Sequence, residues 1–150
     1  MRPTVVFLLL SLSTFTTALA QNSGDRLSLS EFDNTQHDSS LSWLQLGVAD
    51  MLSEVLSRSS QFDVAEQVLA IPQSNRSADE SLRLTIESAR RARAQYLITG
   101  SFVSTKGILT LRAALHRVSD DMMILEATWD GIPDSLIQAV NQLSSRMMDG

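Results

Sequence analysis

The chain has 150 residues, a formal net charge of −5 and no cysteine; 43% of its residues are hydrophobic and 19% are charged. This length allows one domain with a hydrophobic core, and the composition is that of a globular protein, not a disordered one. The absence of cysteine excludes disulfides, thiol nucleophiles and thiolate metal sites, and the negative charge disfavours nucleic-acid binding, which needs a basic surface.

Residues 1–20 have the pattern of a secretory signal peptide. The basic start MRPT precedes the apolar run VVFLLLSL, and Ala18-Leu19-Ala20 is an A-x-A cleavage site. The run is shorter than the roughly 20 residues of a membrane-spanning helix. We therefore expect cleavage after Ala20 and a periplasmic or secreted product that does not span the membrane and has no lipid-anchor cysteine. Loss of Arg2 leaves 11 of the 12 basic residues against 17 acidic ones, a net charge of −6.

Residues 21–26 are expected to form a flexible amino terminus, followed by a single domain over 27–150. A short, weak strand at LSLSEFDN precedes the clearest helix, LSWLQLGVADMLSEVLSR, in which apolar residues recur at helical spacing. Gly47 lies inside this helix, where glycine costs about 1 kcal/mol relative to alanine, so we expect a close packing contact there. A second short strand, QFDVAEQ, is followed by Ser77, whose S-x-x-E sequence is typical of a capping box that begins a helix.

Three strands and a last helix complete the pattern. The strands YLITGSFVS and ILTLRAALHR are joined by the turn STKG, in which Gly107 is expected to have a positive φ. Gly100 lies inside a strand, where glycine marks a bulge or a close backbone approach. Met123 is expected to face the core from the third strand. The order β-α-β-α-β-β-β-α predicts an α/β fold with a mixed β-sheet of about five strands, parallel at first and antiparallel in the meander, and helices packed on it.

No catalytic, cofactor-binding or metal site is predicted, so we expect a protein that is not an enzyme. A phosphate-binding loop leads into a helix, but Gly100 and Gly107 each lead into a strand. There is no G-x-S-x-G nucleophile motif. His37 and His116 lack a metal-ligand partner three or four residues away. One alternative remains open, a small periplasmic ligand-binding protein or enzyme that uses the loop of His37 and Asp38.

Several side chains are candidate contacts to a partner. One is an aromatic residue beside the stripe of the first helix, three are arginines at the end of the second helix, and two are expected on the outward, solvent-facing side of a strand. They are Trp43, Arg90, Arg91, Arg93, Arg112 and His116. A second alternative, an anion-binding or nucleic-acid-binding module, would use Arg90, Arg91 and Arg93.

The blocks SWLQLGVADMLSEVLSR, QFDVAEQ, ARAQYLITGSF, STKGILTLRAALHRVSDD and MMILEATWDG follow in an order and spacing that resemble a known family. That family is the TolB-like amino-terminal domain, in the wider TolB, FlgO and CsgG group of bacterial envelope proteins. The resemblance covers Leu27 to about Met148. One departure is the first strand, where Ser30 or Glu31 stands at the usual proline.

The resemblance implies an α/β domain that contacts other proteins of the cell envelope and has no active site or cofactor. The resemblance also implies that the domain functions in a flagellar, FlgO-like assembly or in a Tol–Pal or transport assembly. A CsgG-like pore is not expected, because the chain has no cysteine to acylate and its hairpin turns are short. Partners would be other envelope proteins and no nucleic acid, and a homo-oligomer is left open.

Overall fold

In the part of the chain that the structure describes, five strands and three α-helices follow one another in the order that the sequence predicts. The computed structural model describes residues 24–65, 67–68 and 76–149, so the predicted signal peptide lies outside the described residues. The elements are β1 (Asp25–Asn34), α1 (Leu44–Ser57), β2 (Phe62–Val64), α2 (Ala78–Arg91), β3 (Tyr96–Thr105), β4 (Ile108–Arg117), β5 (Met122–Gly131) and α3 (Leu136–Asp149).

The strands form one mixed sheet in the order β2-β1-β3-β4-β5. β1 pairs in parallel with both β2 and β3, and β3, β4 and β5 form an antiparallel meander. The predicted α/β class and the change from parallel to antiparallel pairing are confirmed. Crossovers through α1 and α2 account for the parallel half, because parallel neighbours need a long connection.

Helices pack on both faces of this sheet. α1 and α3 lie on one face, where their apolar stripes form the main core with the leucine rows of β1 and β4. α2 lies on the opposite face, where Ile86 and Ala89 pack against Leu97 and Val118. Beyond α2, this second face is partly or fully exposed at Ser101, Thr110, Arg112, Glu126 and Thr128, and we call this surface the open face.

β1 is longer and more central than the sequence indicates. It lies between β2 and β3, and it begins at Asp25, so Asp25 and Arg26 belong to a strand and not to a flexible terminus. The prediction of a short, weak strand is wrong because Ser28 and Ser30, which give the segment a half-polar pattern, are buried on the second face of the sheet. A strand covered on both faces need not alternate between apolar and polar residues.

Gly47 in α1 has no close packing partner of the kind expected. A β-carbon added there would meet only the ring of Trp43, at 3.5 Å, which is an ordinary van der Waals contact. The prediction of a tight contact at Gly47 is therefore wrong, and the helix has room for alanine at this position.

A bulge in β5 changes which of its residues face the core. Leu115 pairs with Leu125, but His116 pairs with Met123, so Ile124 is an extra residue on β5. An extra residue reverses the alternation of side chains. Ile124 packs against the main core, whereas Met123 is 52% exposed. The prediction that Met123 faces the core is wrong for this reason.

The two ends of the sheet are built from different parts of the chain. The last residues of β1, β3 and β5, the β3–β4 turn and the first turns of α1 and α3 meet at one end, which we call the hairpin end. The first residues of β1, β2, β3 and β5 and the last turn of α2 meet at the other, which we call the arginine end. Strands of ten residues separate the two ends by roughly 30 Å.

Candidate interaction surfaces

Exposed apolar side chains collect at the hairpin end. Within the described residues seven large hydrophobic side chains are exposed, and five of them belong to elements that meet there: Trp43, Leu46, Ile108, Ile132 and Ile137. Trp43 is 57% exposed and Ile137 71%. Exposed hydrophobic residues that stand singly are normal, but several on one part of a surface mark an interaction site.

Local structure explains why these side chains cannot turn inward. Ile108 precedes the buried Leu109 in β4 and so lies on the opposite face of the sheet. Ile132 follows the last residue of β5 and caps the 3-10 turn Pro133–Ser135. Ile137 follows Leu136 in α3 and lies off the stripe that packs on the sheet. Trp43 precedes the first turn of α1, at its amino-terminal cap position.

The hairpin end is acidic around its apolar residues. Asp33 lies near the end of β1, Asp130 near the end of β5, and Asp38 and Asp134 lie in the connections that lead into α1 and α3. Lys106 in the β3–β4 turn is the one lysine of the chain. The carboxylates therefore outnumber the cation at this end.

Asp38 uses its carboxylate within its own loop. It accepts hydrogen bonds from the hydroxyl of Ser40 at 2.7 Å and from the Ser40 backbone N–H at 2.9 Å. These bonds, the side-chain one first, lower the pKa of Asp38 below its usual value. The carboxylate thus caps the 3-10 turn Ser39–Leu41.

The loop alternative for an active site finds no support in this geometry. His37 is exposed and has a left-handed φ of 54°. The two depressions described below are lined by other residues, so neither His37 nor Asp38 faces a concave polar site in them. In the described parts of the chain, no three His, Asp or Glu side chains are grouped to hold a metal ion.

The arginine end has a depression of about 520 Å³ whose lining includes Arg90, Tyr96 and Arg117. Arg90 donates to the carbonyl of Val118 at 2.8 Å and to the carboxylate of Asp121 at 2.6 Å. Arg117 forms an ion pair of 3.0 Å with Asp120. Both cations are therefore partly neutralised, which weakens the anion-binding alternative for this depression.

Arg91 and Arg93 are exposed beside Arg90 at the end of α2. Arg93 has a positive φ of 60° in the connection to β3. Met122 and Met123 are exposed at the same end, at the start of β5. The arginine end thus combines cations with two flexible apolar side chains.

The open face carries the remaining predicted arginine. Arg112 contributes to a depression of about 280 Å³ together with Thr35, Ser101 and Thr110. Its guanidinium lies 3.4 Å from the carboxylate of Glu126 on β5. This surface is polar, and Arg112 and Glu126 are paired across two strands.

His116 is a buried residue, not a surface contact. It is 3% exposed, and its Nε2 lies 3.0 Å from the hydroxyl of Thr99. Its Nδ1 is buried without a hydrogen-bond partner. The predicted surface position is wrong because α2 covers this end of the second face, and burial lowers the pKa of His116.

The six predicted contact residues do not form one site. Trp43 lies at the hairpin end, the three arginines of α2 at the arginine end, Arg112 on the open face and His116 in the interior. Ile108, Ile132 and Ile137 were not among the contacts predicted from the sequence. Only Ile137 could have been identified from the sequence, because an isoleucine outside the apolar stripe of a helix is expected to be exposed.

The chain matches no protein-family model and no curated protein sequence. Its structure is similar to that of TolB from Acinetobacter baumannii, with a TM-score of 0.59 and 16% identity over 83% of this chain and 27% of that chain. The chain thus spans about a quarter of TolB.

Two smaller structures are covered more completely. The PelC dodecamer from Paraburkholderia phytofirmans has a TM-score of 0.54 and 16% identity over 81% of this chain and 82% of that chain. The LpoB C-terminal domain from Salmonella enterica has a TM-score of 0.54 and 20% identity over 77% of this chain and 87% of that chain. The chain therefore has the TolB-like fold that its sequence blocks predict.

Proposed function

We propose that the protein is a non-enzymatic, secreted or periplasmic domain that binds other proteins of a cell-envelope assembly. The observation that carries the proposal is the group of five exposed apolar side chains at the hairpin end. Burial of such a surface against a partner favours binding, by about 25 cal/mol for each Å² of apolar area removed from water. Its position on helix starts and a tight turn makes it accessible to a large partner.

Two further observations support a binding role. Among the candidate catalytic side chains, His116 is buried and the Asp38 carboxylate is engaged in capping, while His37 is exposed and lines neither depression. The arginines that line the two depressions are paired with carboxylates, whereas enzyme sites concentrate polar groups with shifted pKa values in a cleft.

The envelope location rests on two supports. One is the pattern of residues 1–20, which predicts export. The other is the TolB-like fold, which this chain shares with TolB, PelC and LpoB structures. No helix in the described ranges is long and apolar enough to cross a membrane. We place the protein in an assembly of the flagellar FlgO-like kind or of the Tol–Pal or transport kind.

Site-specific photo-crosslinking in the native bacterium tests this function. A photoreactive amino acid at Ile132 places the probe at the hairpin end, and the same amino acid at Gln142, an exposed position in the middle of α3, is the matched control. We expect mass spectrometry to identify envelope proteins joined to position 132 and absent at position 142. Capture of the same proteins at both positions, or of cytoplasmic proteins only, would contradict the proposal.

A further inference from the structure

The hairpin end and the arginine end have complementary surfaces. The hairpin end presents Trp43 and exposed isoleucines among four aspartates and one lysine. The arginine end presents Met122 and Met123, 56% and 52% exposed, beside five arginines. These are Arg26, Arg90, Arg91, Arg93 and Arg117. Four aspartates lie at the same end, Asp25, Asp63, Asp120 and Asp121, so the arginines outnumber them by one. Asp121 and Asp120 pair with Arg90 and Arg117. The last turns of α1 and α3 add two arginines and two carboxylates, which leave this excess unchanged.

From this polarity we infer that copies of the chain associate head to tail, with the hairpin end of one copy docked on the arginine end of the next. The partner at the hairpin end is thus a second copy of this chain. The inference rests on the proposed function, because it names one partner of the same interaction surface. Isoleucine and tryptophan would pack against methionine, whose unbranched side chain adapts to irregular surfaces.

Charge decides between this contact and the symmetric one. Two hairpin ends facing each other would bring one set of four aspartates against the same set, and like charges across an interface oppose association. A head-to-tail contact sets those aspartates against an end where arginines outnumber aspartates by one and where Arg91 and Arg93 are exposed. The same excess of carboxylates disfavours docking of the hairpin end on an anionic lipid surface.

A head-to-tail contact is heterologous, because it joins two different surfaces of the molecule. Each copy added leaves one free surface of each kind, so the assembly grows until it closes into a ring or continues as a filament. This property separates it from a two-fold dimer, in which one surface meets itself and growth stops.

Sedimentation velocity on the mature chain, over a range of concentrations and with three variants, tests the inference. Ile137→Glu alters the hairpin end, Met122→Glu alters the arginine end, and Gln142→Glu adds the same charge at an exposed position between them. Far-UV circular dichroism and thermal unfolding establish that each variant is folded. All three substitutions are at exposed positions, so we expect the fold to persist.

The wild type and Gln142→Glu should increase in mass with concentration. Ile137→Glu and Met122→Glu should each self-associate at least roughly tenfold more weakly, a loss of about 1.4 kcal/mol. An equimolar mixture of these two variants should form a dimer and nothing larger, because one variant keeps an intact arginine end and the other an intact hairpin end.

Three results would overturn the inference. They are a monomeric wild type at the highest soluble concentration, self-association that Ile137→Glu abolishes but Met122→Glu leaves intact, and a monomer that floats with phosphatidylethanolamine–phosphatidylglycerol vesicles through Ile137. The second would indicate a symmetric hairpin-end contact and the third a lipid surface. None of these results decides the proposed function, because crosslinking could still capture envelope partners at position 132.

Discussion

The ring of Phe32 on β1 lies directly against Gly100 on β3, in the space that a β-carbon of residue 100 would occupy. The two residues are register partners, next to an irregularity in the β1–β3 pairing between Leu29 and Phe32. Phe32 is completely buried in the main core. The close backbone approach predicted at Gly100 is thus found in another form, because the group that approaches is an aromatic side chain of the neighbouring strand.

Gly100→Ala should destabilise the protein by about 1–3 kcal/mol, because the new methyl group overlaps a buried ring that has no room to move. Urea denaturation measures the loss. Phe32→Leu supplies the control, since the smaller side chain should accept alanine at position 100. The double variant should therefore be more stable than the sum of the two single losses indicates. Additive losses would mean that the ring is not what excludes a β-carbon.

Lys106→Asn should stabilise the β3–β4 turn. Lys106 and Gly107 have φ values of 53° and 80°, both in the left-handed region of a type I′ turn. Asparagine tolerates this conformation better than lysine, so we expect a gain of up to about 1 kcal/mol in the free energy of unfolding. Lys106→Gln removes the same charge without that tolerance and should give no gain. Equal effects of the two variants would assign the change to charge and not to backbone strain.

Arg90→Ala should cost about 1–2 kcal/mol, while Arg91→Ala should stay within about 0.5 kcal/mol of wild type. Arg90 joins the end of α2 to the β4–β5 turn through the carbonyl of Val118 and the carboxylate of Asp121. Arg91 is its exposed neighbour. Thermal unfolding compares the two variants. Similar unfolding midpoints would mean that the contacts of Arg90 do not stabilise the fold.

Local signals in the sequence are sufficient for most of the fold. The hydroxyl of Ser77 accepts a hydrogen bond from the N–H of Glu80 at 3.2 Å, as the S-x-x-E pattern predicts. The positive φ of Gly107 follows from its place in a two-residue turn. Both features depend on neighbours within three residues, and such features can be derived before any tertiary contact is known.

The errors come from contacts between distant segments. His116 has the alternating position of a surface residue, but α2 packs over the end of the face on which it lies. Met123 follows the alternation of β5 until the bulge at Ile124 reverses it. Ile108 and Ile132 reach the same end of the sheet only through the β4–β5 register, which pairs Leu109 with Gly131. No periodicity within one segment contains this information.

Gly47→Ala should stabilise α1 by about 1 kcal/mol, the difference in helix propensity between the two residues. The added methyl group would lie 3.5 Å from the Trp43 ring, an ordinary contact that requires no rearrangement. Thermal unfolding should show a raised midpoint. The same substitution in a Trp43→Ala background should give a similar gain, and a loss of stability in the wild-type background would restore the packing role first expected for Gly47.

Stability should fall as the pH is lowered from 7 towards 5, because of His116. Burial lowers the pKa of His116 below its ordinary value of 6.5, so the unfolded chain binds a proton that the folded protein resists. The contribution of His116 is fully present above the unfolded pKa and is lost as the pH falls from there towards the folded pKa. The pKa of Asp38 is also lowered, but its contribution to stability is lost only as the pH falls below the ordinary carboxyl value of 3.8. Urea denaturation at several pH values measures how steeply the free energy of unfolding depends on pH.

His116→Gln separates this titration from other effects of pH. Glutamine keeps a group that can hydrogen-bond to Thr99 but has no proton to gain in this range. The variant should be less sensitive to pH between 7 and 5, whatever its absolute stability. His37→Gln, at an exposed position, should keep the wild-type slope. A slope that survives in His116→Gln and disappears in His37→Gln would show that the loop, and not the residue under α2, responds to acid.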